Sequence, residues 1–176
     1  MVQNIEILYK AFDKNKSVNY VIKQDKRRNN RIKYLLNYSY KKTFKHGKIF
    51  NLDNKAVALV NIPHLEKTDI WADIKLIYYA LGIRNIKKVL TFKSKLKKAY
   101  PKEFLYIDFI GVDPVFQGNG IGTKLLQDII VYAKQINLPI YLETSMPENI
   151  VFYQKNGFEI YGKILLDYDL YLLRLQ

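Results

Sequence analysis

Residues 105–124 read LYIDFIGVDPVFQGNGIGTK, and they place a strand, a turn, a glycine-rich loop and the first turn of a helix in one segment. Ile107 to Val112 is a short apolar run broken by Asp108 and closed by Asp113-Pro114, the pattern of a buried strand with a turn after it. Gly118, Gly120 and Gly122 then alternate with Asn119 and Ile121. Such spacing strips the loop of side chains and permits positive φ, so that several backbone N–H groups can face one point. That point lies at a helix start, where unpaired N–H groups and the helix dipole favour an anion. The segment is suited to holding phosphate.

Three phosphate-binding patterns compete for it. A nucleoside-triphosphate loop needs Lys directly after its last Gly, but Thr123 stands between Gly122 and Lys124, and the spacing back to Gly118 is too short. A dinucleotide fingerprint needs GxGxxG directly after a strand. Here the pattern is GxGxG, and residues 113–117 intervene, although Glu143 lies at a distance suited to a ribose contact.

The third pattern is a resemblance. Gln117-Gly118-Asn119-Gly120-Ile121-Gly122, preceded by Val112-Asp113-Pro114, resembles the Q/R-x-x-G-x-G/A acetyl-CoA loop of the GCN5-related N-acetyltransferases, the GNAT superfamily. Further on, Tyr141-Leu142-Glu143-Thr144 and Asn149-Ile150-Val151-Phe152-Tyr153-Gln154-Lys155-Asn156-Gly157-Phe158 are similar to the strand and the N-x-x-F/L-Y-x-K-x-G-F ending of that family. The two blocks stand in the family's order and separation. A tight turn alone would account for the glycines and leave the second block unexplained. Leu81-Gly82-Ile83-Arg84 and the strand 106–114 further resemble a bacterial branch of puromycin N-acetyltransferase-like enzymes that modify small-molecule amines. Phe104 stands where that branch often carries a His or an aromatic residue.

The resemblance implies an α+β fold in αβα layers. Its mixed, mostly antiparallel twisted sheet would have a splayed parallel pair and helices on both faces. It implies one GNAT domain over 1–176, with an acetyl-CoA-binding core at about 104–160. It implies that acetyl-CoA is held by Ile110, Gly111 and Val112 on the strand, by Gln117, Gly118, Asn119, Gly120, Ile121, Gly122 and Thr123 in the loop, and by Asn149, Phe152 and Tyr153. Ile110 and Val112 would pair with the pantetheine amides as an added strand, and an N–H there would polarise the thioester oxygen. Gly111 suggests a bulge that splays the strand. Tyr153 is implied as the general acid that protonates the leaving thiolate. The base is open. Asp108, placed by alternation on the face of Ile110, and Glu143 can each take a proton, bind a cationic substrate or serve structure.

Composition narrows the function. The chain of 176 residues is 49% hydrophobic and suits one folded domain with one sizeable core. It has no Cys, which excludes disulfides, thiolate metal sites and a cysteine nucleophile. His46 and His64 are the only histidines, and no carboxylate cluster joins them, so no metal is expected. The amino terminus lacks a signal-peptide pattern and no apolar run spans a bilayer, so a cytoplasmic protein with no membrane partner is expected. The net charge of +13 favours polyanions, yet the densest basic face, Arg84 to Lys98, lacks interleaved aromatics, and a solvated face is the plainer reading. The resemblance implies a small-molecule amine as the partner, with a homodimer allowed and nucleic acid disfavoured. A protein or peptide amine, and a non-catalytic acyl-CoA- or nucleic-acid-binding module, are the alternatives.

Periodicity supplies the remaining elements. Helices are expected over 4–12, from about 27 to a stop at Gly47, over 68–81 with Ile70, Trp71, Ile74, Ile77, Tyr78 and Leu81 as the apolar stripe, over 83–100, over 121–136 and from Pro147 to Asn156-Gly157. Residues 13–19 read as a turn or loop. A hairpin is expected over 48–62 about Asp53-Asn54, a parallel strand at 140–142, and a closing antiparallel pair over 158–164 and 168–175.

Overall fold

The computed structural model describes residues 1–66 and 68–176. Its helices are α1 (Val2–Phe12), α2 (Lys16–Val21), α3 (Arg28–His46), α4 (Ile70–Leu76), α5 (Ile86–Ala99), α6 (Ile121–Gln135) and α7 (Pro147–Lys155). Its strands are β1 (Gly47–Leu52), β2 (Ala56–Asn61), β3 (Leu105–Val112), β4 (Ile140–Thr144), β5 (Glu159–Leu165) and β6 (Asp169–Leu175). The strands form one sheet in the order β1-β2-β3-β4-β6-β5. Every pairing is antiparallel except β3 with β4. Among the described residues, no helix is long and apolar enough to cross a membrane.

Alternation along β2 explains the three layers. Ala56, Ala58 and Val60 face a core built with Leu125, Leu126 and Ile129 of α6. Val57 and Leu59 face a second core with Leu8 of α1, Ile32 and Leu36 of α3 and Val89 of α5. Helices therefore cover both faces, and all six β2 residues are buried. The β1–β2 turn falls where the sequence placed it, a three-residue loop between the paired Leu52 and Ala56 with Asp53 and Asn54 at positive φ.

The β3–β4 pair opens almost at once. Only Leu105 pairs with Ile140 and Tyr106 with Tyr141, after which the strands diverge. The bulge is not at Gly111. Leu59 pairs with Phe109 and Val60 with Ile107, so Asp108 is the extra residue. This resets the alternation: Ile107 and Ile110 pack toward α6, while Phe109 joins the opposite core. Asp108 therefore does not share a face with Ile110. Gly111 serves a close approach instead, since a Cβ there would lie 2.8 Å from the Ala11 Cβ of α1.

Other departures have local causes. Residues 16–21 form a helix rather than a loop, because the Asn15 side chain accepts a 3.1 Å bond from the Val18 N–H and caps it. Gly47 ends α3 in extended rather than left-handed geometry, with a virtual Cβ 2.3 Å from the Val60 carbonyl oxygen. The helix expected over 68–81 starts after the Asp69 cap and widens to a π-helix over Ile77–Leu81, and Ile70, Trp71, Ile74 and Tyr78 face solvent. In α5, Val89 is buried while Leu90 is exposed, which shifts the inward stripe from the expected phase.

Candidate active site

The open edge of β3 comes first. The Asp113 N–H bonds to the Lys55 carbonyl at 2.8 Å, which fixes the alternation of the β2–β3 ladder. Gly111 and Phe109 turn their backbone groups to β2. Ile110 and Val112 turn theirs to the side from which β4 has departed. The Val112 carbonyl already accepts from Gln117 Nε2 at 3.2 Å. The Ile110 N–H and carbonyl and the Val112 N–H remain available to an extended ligand.

The glycine loop lies at the end of this edge. Gly118 and Gly120 have φ of 80° and 74°, and a Cβ on either would meet nothing within 4 Å, so conformation rather than crowding demands glycine there. Gly120 is the N-cap of α6 and provides no side-chain cap. The first helical bond runs from Lys124 to Gly120, which leaves the Ile121, Gly122 and Thr123 N–H groups pointing out of an exposed helix start. The Gln117 N–H is spent on the Pro114 carbonyl at 3.4 Å and does not belong to this set. Asn119 stabilises the loop by donating to the Phe116 and Gln117 carbonyls at 3.3 Å each.

Gly122 joins strand, loop and α7. A Cβ there would lie 3.4 Å from Val112 Cγ2 and 3.7 Å from Phe152 Cζ. Asn149 is fixed beside the end of β4, its Nδ2 donating to Thr144 Oγ1 at 3.4 Å, which leaves its Oδ1 as an acceptor. Unpaired N–H groups at the α6 start, free backbone groups along Ile110 and Val112, and an acceptor on Asn149 thus follow one another along this edge.

A cavity of about 350 Å³ lies on the other face of the opened strands. Asp108 and Glu143, expected separately from sequence, both line it, together with Tyr100, Tyr106 and Asn61. Glu143 Oε1 accepts from the Tyr106 hydroxyl at 2.6 Å, and Oε2 accepts from the Tyr100 hydroxyl. Burial pushes the Glu143 carboxyl above its usual range, and the two hydroxyls oppose that shift. Burial likewise lifts the Asp108 carboxyl to about 7, with Lys42 pulling it down and Glu143 and Glu66 pushing it up. Lys42 is itself bound to Glu66 at 2.6 Å.

Tyr153 sits in the core on the α6 side, 6% exposed, with its ring 5.2 Å from Phe152 and 5.5 Å from Phe158. Burial, and less strongly the Glu143 charge, raise its phenol above the ordinary value, so it stays protonated. Ile110, Val112, the loop, Phe152 and Asn149 thus converge on one slot, and Asp108 and Glu143 on the adjoining cavity. Gly111 turns toward α1. The two tyrosines that bind Glu143 were missed from sequence. Tyr106 could have been found, since it precedes Asp108 by two on the same strand. Nothing in the sequence marks Tyr100.

The model of the acetyltransferase (GNAT) family matches residues 91–158. The N-alpha-acetyltransferase RimI of Mycobacterium tuberculosis is 32% identical over 69 residues, 39% of this chain and 43% of that protein. An uncharacterized N-acetyltransferase of Schizosaccharomyces pombe is 34% identical over 77 residues, 44% of this chain and 31% of that protein. The matches thus span less than half the length of these curated relatives. The crystal structure of a histone acetyltransferase HPA2 and related acetyltransferase from Corynebacterium glutamicum superposes with a TM-score of 0.69 at 19% identity, covering 98% of this chain and 88% of that one, which establishes a shared fold.

Proposed function

We propose that this chain, whose residues 91–158 match the acetyltransferase (GNAT) family, is an acetyl-CoA-dependent N-acetyltransferase acting on the primary amine of a small molecule by direct transfer. One observation carries this reading. The uncapped start of α6 and the unpaired edge of β3 form one continuous slot, and the divergence of β3 from β4 that opens it also bounds the cavity holding Asp108 and Glu143.

Acetyl-CoA, when bound, supplies a thioester. The Ile121, Gly122 and Thr123 N–H groups hold the phosphates, Ile110 and Val112 align the amide arm, and a β3 N–H in the opened stretch polarises the carbonyl. An alkyl amine is cationic near neutral pH and must first lose a proton. Asp108 accepts it, because its carboxyl titrates at about 7 while both Glu143 oxygens are already engaged by tyrosine hydroxyls. The freed nitrogen lone pair attacks the carbonyl carbon, the C–N bond forms and the C–S bond breaks, and the nitrogen sheds its second proton to solvent as the amide forms, which offsets the proton taken up by the departing sulfur. Tyr153 gives its proton to the departing sulfur. Burial holds this phenol above its ordinary pKa of ~10, so transfer to a thiolate whose acid has pKa ~8.5 is uphill and depends on close contact. A protein amino terminus is the second reading, favoured by the relative called an N-alpha-acetyltransferase. The size of the cavity favours the small molecule.

Titration calorimetry with acetyl-CoA, followed by free-thiol detection across a panel of amines, tests this. Stoichiometric binding and amine-dependent thiol release are expected. A folded protein that binds no acetyl-CoA overturns the reading.

A further inference from the structure

The cavity has an acidic end and an apolar wall, and the two make different demands on a ligand. At the acidic end stand Asp108 and Glu143. Among the described residues, neither carboxylate has a lysine or arginine within ion-pair distance, whereas the other lining carboxylate, Glu66, is paired with Lys42. Glu143 is served by two neutral hydroxyls, which leaves its charge in place. Lys42 and Lys93 also line the cavity, so its lining carries three carboxylates, Glu66, Asp108 and Glu143, against two lysines, and a single cation from the ligand balances the acidic end.

The opposite wall comes from helices α1, α2, α4 and α5 and presents Phe12, Val18, Leu76, Val89, Phe92 and Leu96. This wall offers no counter-charge deep in the cavity, so a second cation placed against it would be desolvated without compensation. A volume of about 350 Å³ lies at the low end for ligand sites and holds a ring with a short side chain rather than a peptide or an oligosaccharide.

We propose that the acceptor is a small monocationic amine with an aromatic or compact apolar body, its nitrogen held by Asp108 and Glu143 and its body packed on the Phe12, Val89 and Phe92 wall. This rests on the reading of the cavity as the acceptor side of a transferase. Aromatic rings suit the wall because edge and face contacts add to simple burial. The single charge is what separates this class from polyamines and aminoglycosides.

The test is calorimetric titration of the full chain, without coenzyme, with 2-phenylethylamine, 2-phenylethanol, spermidine and a tripeptide with a free amino terminus. Thiol release with acetyl-CoA is measured in parallel. 2-Phenylethylamine should bind at least about tenfold more tightly than each of the others, the factor expected for losing a charged hydrogen bond. Asp108→Asn should weaken the amine by about tenfold or more and leave the alcohol within about twofold. Equal binding of amine and alcohol, or preference for spermidine or the peptide, overturns the proposal. Should Asp108→Asn fail to fold, Phe92→Ala on the half-buried face of α5 decides: it must weaken 2-phenylethylamine more than ethylamine, and an equal effect overturns the proposal. Selective amine binding with no thiol release upholds the cavity assignment and removes the transferase reading. Thiol release with the peptide alone does the reverse.

Discussion

The Tyr106 hydroxyl, on β3, donates a 2.6 Å hydrogen bond to Glu143 Oε1, on β4, just where the two parallel strands part. Backbone pairing between them ends at Tyr106 and Tyr141. Past that point this side-chain bond ties the strands across the gap, and a second one from Tyr100 ties the end of α5 to the same carboxylate. The same contacts hold a carboxylate in place at the cavity wall. The strand divergence that leaves the β3 edge open and the placement of acidic groups at the cavity wall therefore share one structural cause.

Removing either hydroxyl should weaken the fold in a pH-dependent way. Tyr106→Phe or Tyr100→Phe takes a charge-assisted bond from a buried carboxylate, which costs about 1.5–3 kcal/mol. Burial already raises the Glu143 pKa, and losing a donor raises it further. The deficit relative to wild type should be larger at pH 8 than at pH 4, because ionisation increases the need for donors and the protonated group needs less support. Urea unfolding at the two pH values checks this, and a deficit independent of pH would assign the loss to packing of the ring.

The structure explains which parts of the chain could be read in advance. The loop and α6 were legible because backbone conformation is written in glycine positions and because α6 buries one regular stripe, Leu125, Leu126, Ile129 and Ala133. The bulge at Asp108 was not, since one extra residue leaves the local pattern of β3 unchanged and shows only against its partner strand. The orientation of α4 was not legible either. Ile70, Trp71 and Tyr78 have the spacing of a buried stripe but are 66%, 75% and 68% exposed. Periodicity reports that an apolar face exists, not that something covers it. The cavity holding Asp108 and Glu143 was invisible for a third reason: its walls come from α1, α2, α3, α4, α5 and three strands, and no local pattern encodes their meeting.

Gly111→Ala should destabilise the protein although the residue adopts no left-handed conformation. The added Cβ would lie 2.8 Å from the Ala11 Cβ and 3.4 Å from a Leu8 methyl, so α1 must move off the sheet. Overpacking of this kind costs about 1–3 kcal/mol. Gly111→Ala/Ala11→Gly should recover most of the loss in a double-mutant cycle, because the two methyl groups compete for one space. Denaturant unfolding of the four proteins measures it, and additive losses would contradict the close approach.

Tyr153→Phe should lower kcat and leave acetyl-CoA binding nearly unchanged. The ring is packed between Phe152 and Phe158, so phenylalanine fills the same space without the hydroxyl. Loss of a positioned acid typically costs about 10²–10⁴ in rate. Steady-state kinetics beside calorimetry separates the two effects. Unchanged turnover would return Tyr153 to the role of a core aromatic.

Asp108 should tie activity and stability to pH with opposite signs. Its carboxyl is raised from 3.8 to about 7 in the folded protein, mainly by burial. Between those values the folded state holds a proton that the unfolded chain has released, so stability falls as pH rises from about 4 to about 7 and is level above that. A base must be unprotonated to act, so kcat/KM should rise through the same region, with an inflection near 7 for the free enzyme. The bound ammonium favours the carboxylate, and the inflection in kcat should lie lower than that in kcat/KM. Asp108→Asn removes the titrating group and should abolish the inflection near 7, flatten the stability profile between pH 4 and 7, and make the protein more stable than wild type at pH 8. Rates and urea midpoints measured across this range test both halves together. An inflection that persists in Asp108→Asn would move the base elsewhere, with Glu143 the next group to replace.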